Sequence, residues 1–332
     1  MTMTRRRLLE LVGASSLAAA ADRAARAEGF PNAEAMRAQA ASPILFAHQT
    51  PIRIGQAALK VRDLQKMSAF YQHMLGLAEQ ERTPERAVLG APGGAPILVL
   101  EAAPQAAFAA PNAAGLFHTA FLLPSRLDLA RWLAYVVTEE IQLTGFGDHN
   151  VSEAVYLDDP EGNGIEVYAD RDPAGWVWSN GQVRMGTEQI DFEGLIGLLN
   201  DSVPIYTEAP RELRIGHMHL KVGEVAQAAE FYQKTAGLDP TQMMVFRGAA
   251  FLSSGRYHHH IGLNNWRSQG VGPRDPAALG LSWTSFETKD AAILAAREAA
   301  ALAAGGQVEK LASGEGFETR DPWGTRLRFV KV

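Results

Sequence analysis

The chain of 332 residues contains no cysteine. That absence excludes disulfides, thiolate as a metal ligand and a thiol nucleophile. A basic excess is missing too. Lys and Arg number 31 against 37 Asp and Glu, a formal net charge of −6, so nucleic acid is not expected as a partner. No uninterrupted apolar run is long enough to span a bilayer. With 47% hydrophobic and 20% charged residues, the composition is that of an ordinary globular protein, and the length fits about two average domains.

The first residues differ from the rest. "TRRRLLELVGASSLAAAA" sets three arginines before a short Ala-rich run, and "ARA" at 25–27 offers small residues for cleavage. Arg5 and Arg6, followed by Leu8 and Leu9, resemble a twin-arginine export signal, although Glu10 interrupts the apolar run. The expectation is a signal over 1–27, an extended segment over 28–52, and a periplasmic or secreted protein. Without that signal the expected location is cytoplasmic.

The remainder is repetitive. Residues 54–77 align with 215–238 at a constant offset of 161, matching Ile-Gly, Leu-Lys-Val, Phe-Tyr-Gln and Gly-Leu. Each copy reads as a strand followed by a helix; the first helix is expected to start at Asp63 and stop at Gly76. A second pair, "DDPEGNGIEVY" (158–168) and "RDPWGTRLRFV" (320–330), reads as an Asp-Pro-x-Gly turn and an apolar strand. Four strand–helix–strand–strand–strand modules follow: about 53–101, 115–169, 214–264 and 279–331. The expected domains are 53–169 (modules one and two) and 214–332 (modules three and four). They are joined by a linker, 170–213, with one helix capped by Asp191.

This pattern resembles the vicinal oxygen chelate superfamily and, within it, the two-domain type I extradiol dioxygenases of the bacillus catechol 2,3-dioxygenase type. The stretches that carry the resemblance are "GLFHTAFLLP", "GDHNVSEAVYLDDPEGNGIEVYADR", "IGHMHLKV" and "YHHHIGLNNW". It implies an α+β fold of four βαβββ modules forming two cup-shaped mixed sheets. It also implies ligand positions on the first and last strands of modules, here Gln56, His118, His217 and Trp283, with Glu166 and Arg328. His118, Glu166 and His217 would form the two-histidine, one-carboxylate triad associated with Fe(II), with Mn(II) as the alternative. They meet only if module two pairs with three and one with four.

Read as residues alone, His118 among apolar neighbours is more often a satisfied core histidine. A carboxylate inside "GIEVY" is costly without a partner. The resemblance further implies His259 as the histidine beside the oxygen site, with His260 as substitute if a bulge shifts the register. It places His149 and Tyr156 near the substrate, and His219, His260, Asn264 and Trp266 around it. A triple-histidine run is alternatively a solvated edge.

The function expected is extradiol cleavage of a catechol or hydroquinone by dioxygen, in a monomer or homo-oligomer. Two alternatives stand beside it. One is a glyoxalase-like isomerase or lyase using Gln56, His118 and Glu166 under sequential pairing. The other is a non-catalytic binding protein on the same fold, like the bleomycin-resistance proteins. Replacing Arg5 and Arg6 by Lys should abolish export of a fused reporter; unchanged export would remove the twin-arginine reading.

Overall fold

The computed structural model describes residues 45–332. The expected signal and most of the segment 28–52 lie outside the described residues. Module one comprises β1 (Arg53–Val61), α1 (Leu64–Leu75), β2 (Ala78–Arg82), β3 (Arg86–Gly90) and β4 (Pro96–Ala102). Module two comprises β5 (Gly115–Leu122), α2 (Arg126–Thr138), β6 (Gly145–Asp148), β7 (Ser152–Asp158) and β8 (Gly164–Asp170). The linker carries β9 (Trp178–Ser179), β10 (Gln182–Val183) and the short helix α3 (Phe192–Ile196). Module three has β11 (Arg214–Lys221), α4 (Val225–Phe231), β12 (Asp239–Met244), β13 (Ala249–Ser253) and β14 (Ile261–Asn264). Module four has β15 (Gly280–Thr288), α5 (Ala291–Ala303), β16 (Glu309–Lys310), β17 (Gly316–Arg320) and β18 (Arg326–Lys331).

Local chemistry sets the helix ends. Asp63 accepts from the Lys66 amide at 2.9 Å, and Gly76 closes α1 at φ +67°, a left-handed position that glycine takes at little cost. Asp191 caps α3 through the Gly194 amide. After α4 the chain continues through a π-helical turn, Tyr232–Ala236, before Gly237.

The strands assemble in nested order. One eight-stranded sheet runs β16-β17-β18-β15-β1-β4-β3-β2, and the other runs β12-β13-β14-β11-β5-β8-β7-β6. Module one therefore joins module four, and module two joins module three, each pair through an antiparallel contact of first strands. Alternation along the strands explains the faces, except that an irregularity between Ile215 and His217 turns Ile215 to the core side. Ile215, Met218, Leu220, Phe121, Val167 and Val155 enter the main apolar core, whereas His217, His219, His118, Glu166 and Tyr156 face the other side. Residues 45–48 and the linker's Trp176 and Val183 pack on that second side and close part of the bowl. Among the described residues no helix is long and apolar enough to cross a membrane.

The shared Phe-Tyr-Gln and Asp-Pro-x-Gly motifs have a joint purpose. Tyr71 on α1 donates to Asp159 Oδ2 (2.9 Å) in the turn before β8, and Tyr232 donates to Asp321 Oδ2 (3.1 Å) in the turn before β18. Each aspartate's other oxygen accepts two amides of its own turn: Glu161 and Asn163, or Trp323 and Thr325. Strand pairing thus ties modules one to four and two to three, while these latches tie one to two and three to four. Tyr71→Phe and Tyr232→Phe should each remove about 1.5–3 kcal/mol, the range for a buried hydrogen bond to a charged group. Urea unfolding measures it, and losses below a few tenths would show that the latches are incidental.

Candidate metal centre and active site

Glu166 on β8 lies level with Ala120 on β5, and Ala120 lies level with His217 on β11. The small Ala120 side chain between them leaves room for the imidazole and the carboxylate to approach each other. His118 stands one pleat along β5, opposite His219. The result is a buried cluster. His118 Nε2 is 3.0 Å and His217 Nε2 3.4 Å from Glu166 Oε2. Among the described residues these three supply one ligand atom each, all within 4.8 Å of one another.

The cluster lacks the hydrogen bonds that would make it a finished polar core. His118 Nε2 and His217 Nδ1 are buried without a hydrogen-bond partner. His118 Nε2 is close to the carboxylate but not aligned with it, as expected for atoms converging on a common point. Burial pushes His217 down to about 4, against the pull of Glu166, so its imidazole is neutral near pH 7. Burial would push Glu166 up, but His217 and His118 reverse this and hold its carboxyl well below the usual range. A buried carboxylate beside two imidazole nitrogens, the His118 Nε2 without a partner, suits a divalent cation with N and O ligands.

Around this cluster the sequence-predicted residues divide. His149 Nδ1 donates to the Gly186 carbonyl (2.7 Å), which leaves Nε2 to accept from the Tyr156 hydroxyl (2.7 Å). Tyr156 is level with Glu166 on the neighbouring strand. His219 Nε2 accepts from Asn264 Nδ2 (3.1 Å), so its Nδ1 carries the proton. A side chain at Gly262 would overlap the His219 ring, with its Cβ 2.9 Å from the imidazole Cγ, so glycine there is a condition of this placement. Trp266 is half exposed at the mouth, 5.5 Å from the Phe117 ring, which packs on His219 at 4.9 Å.

The histidine run splits three ways. His259 packs on His217 with ring centroids 4.0 Å apart and on Phe251 at 4.9 Å, which places it in the bowl. His260, expected as a substrate-binding residue or as the substitute for His259, is not brought to the site. Its Nδ1 contacts Ser253 Oγ (2.9 Å) and its Nε2 the Ala47 carbonyl (3.0 Å), under the segment that precedes β1. The reason is local: His260 is drawn to Thr50 and the Ala47 carbonyl of the segment before β1, whereas His259 turns toward His217. Residues 254–260 precede β14 without themselves being strand, yet the two side chains still diverge. His258 also lies beside the site, although sequence reasoning assigned it no part; it contacts His259 and Asp170. Asp170 and Phe117 were likewise missed. Position alone offered a signal for both, Asp170 four residues beyond Glu166 and Phe117 beside His118.

Gln56 is on the other sheet, where its amide contacts the Pro96 carbonyl. The alternative set of Gln56, His118 and Glu166 is therefore not assembled. The matching cup of modules one and four is filled. Trp283 Nε1 donates to Glu101 Oε1 (2.9 Å), and the Arg328 guanidinium lies 3.9 Å over the indole while paired with Glu318.

Comparison with known proteins places the chain. Residues 53–167 match the family model of the Glyoxalase/Bleomycin resistance protein/Dioxygenase superfamily. Over 232 residues the chain is 39% identical to the catechol-2,3-dioxygenase of Bacillus subtilis (strain 168), covering 69% of this chain and 80% of that one. Among solved structures it is similar to glyoxalase I from Zea mays, with TM-score 0.53, 15% identity and coverage of 86% and 94%. A Bacillus subtilis protein provisionally named a dioxygenase gives TM-score 0.58, 14% identity and 84% coverage of both chains. At those identities the structures attest the shared fold alone. The fold and the sequence match define an enzyme of this superfamily, and the chain belongs to its catechol-2,3-dioxygenase family of extradiol dioxygenases.

His217→Ala, His118→Ala and Glu166→Ala should each lower the bound metal measured by elemental analysis at least tenfold, whereas Gln56→Ala should leave it unchanged. Loss of metal in the Gln56 variant would contradict the assignment of the site to one sheet.

Proposed function

We propose that the protein cleaves the ring of a catechol or hydroquinone with dioxygen, using Fe(II), or Mn(II) in its place, held by His118, Glu166 and His217. The observation that carries this reading is the convergence of these three side chains in a bowl lined by further histidines and aromatic rings. Bound there, Fe(II) would supply the electron exchange between a diolate and dioxygen that neither undergoes readily alone.

The chain's own residues do the rest. Phe117 and Trp266 at the mouth suit a flat aromatic substrate. His219, with Nε2 occupied by Asn264, presents Nδ1–H as a donor for a substrate oxygen. Tyr156 gives its hydroxyl proton to His149, so its oxygen can accept from a substrate hydroxyl. His259 is the base for protons released or returned during ring opening. Its burial and the neighbouring His217 and His258 push it well below the usual histidine range, so it stands neutral with a lone pair free. Export through residues 1–27 belongs to the same proposal; it would deliver an already folded enzyme to the periplasm.

An oxygen electrode tests the reading. Protein loaded anaerobically with Fe(II) should consume one dioxygen per diol with at least one member of a catechol and hydroquinone panel. His259→Gln should lower kcat by about 10²–10⁴-fold, the usual worth of a positioned acid–base group, with KM within a few-fold. No oxygen uptake with either iron- or manganese-loaded protein would overturn it.

A further inference from the structure

His259 does not stand alone. Its Nδ1 is 2.7 Å from His258 Nδ1, and His258 Nε2 is 2.9 Å from Asp170 Oδ1. The same Asp170 oxygen accepts from the Tyr257 hydroxyl at 3.1 Å, and Tyr257 and Tyr168 share a 2.7 Å contact between their hydroxyls. His258 is fully buried, between the rings of Trp176, Tyr168 and Tyr257. Asp170 ends β8, the strand that carries Glu166, so it is held in register with the metal cluster.

The direction of each proton follows. A carboxylate only accepts, so His258 carries its proton on Nε2. With one N–H on its ring, placed at Nε2, His258 offers Nδ1 as a lone pair. The 2.7 Å contact between two Nδ1 atoms needs one proton, and His259 must supply it. His259 Nε2 is then a lone pair, and it has no hydrogen-bond partner among the described residues.

We propose that Asp170 and His258 are positioning residues that hold His259 as the Nδ1–H tautomer, leaving Nε2 as the basic atom in the bowl. The inference rests on the reading of His259 as the acid–base group. A proton taken up at Nε2 makes an imidazolium whose Nδ1–H already points at His258. Its positive charge then faces the Asp170 carboxylate through one intervening ring. Without this chain the ring could turn or adopt the other tautomer, and Nε2 would carry a proton when a lone pair is needed. The arrangement orients a base through a second group, as in other relayed acid–base sites.

Ring ¹⁵N NMR of metal-free protein with labelled histidine is the test, with the His259 signals assigned from the His259→Gln spectrum. The wild type should show His259 protonated at Nδ1 and His258 at Nε2. His258→Phe should shift His259 toward the Nε2–H form and lower kcat of the Fe(II)-loaded enzyme by about 10²-fold with KM little changed. His258→Asn, whose amide oxygen can take the place of Nδ1 as acceptor, should restore the Nδ1–H form and bring kcat within about tenfold of wild type. A wild-type His259 protonated at Nε2 would overturn the proposal even if His258→Phe fails to fold. So would a His258→Phe variant with unaltered tautomer or with kcat within twofold of wild type. The NMR result does not depend on turnover. The expected tautomer in a protein that consumes no oxygen would defeat the dioxygenase reading and leave the relay standing.

Discussion

The antiparallel joint between β5 and β11 is the contact on which the site depends. Among the described residues it is the only place where modules two and three exchange backbone hydrogen bonds, and its register puts His217 level with Ala120 and His219 level with His118. Glu166 reaches the same level because β8 runs parallel to β5. A slip of one residue would send both histidines of β11 into the apolar core and bring Met218 into the bowl, since strand side chains alternate. The apolar partners Ile215, Met218 and Leu220 therefore guard the position of the ligands: their burial in the core penalises every other register.

Four copies of one module have separated into two uses. In the sheet of modules two and three, the equivalent positions hold imidazole and carboxylate. In the sheet of modules one and four, they hold Gln56, Trp283 and Arg328, and the cup is closed by an indole, a guanidinium and the carboxylates of Glu101 and Glu318. The Tyr–Asp latches survive in both halves because they serve the fold rather than the chemistry. A filled cup gives the molecule a rigid partner for the open one.

Buried histidines cost desolvation unless they stay neutral and bonded. Most of those in this structure meet that condition in a way that defines a proton position. His48 donates to the Ile215 carbonyl and His260 to the Ala47 carbonyl, holding residues 45–50 against the edge of the bowl. His149 and His258 have both nitrogens engaged, and His219 and His259 one each, which fixes the role of the other. His118 and His217 are the exceptions, each with a buried nitrogen unbonded, and they are the two beside Glu166. The unsatisfied atoms belong to the two histidines of the ligand set.

Much of this was legible in the chain. The offset of 161 residues, the Asp-Pro-x-Gly turns and the caps at Asp63 and Asp191 are local signals, because turn geometry and helix termini are set by neighbouring residues. The choice of His118, Glu166 and His217 as a set was legible only through the resemblance and the demand that good ligands share a cup. Register across chain distance was not legible: His260 turning to the segment before β1, Asp170 and His258 meeting beside His259, and Phe117 facing His219 all depend on which segments lie side by side. The sequence by itself determined the modules, their boundaries and which side chains could bind a metal or move a proton, since these follow from residue type and short-range spacing. Only the tertiary structure decided which modules touch and which histidine nitrogen carries a proton. Those are settled by hydrogen bonds and burial between residues up to 234 positions apart, as in Arg53 against Glu287.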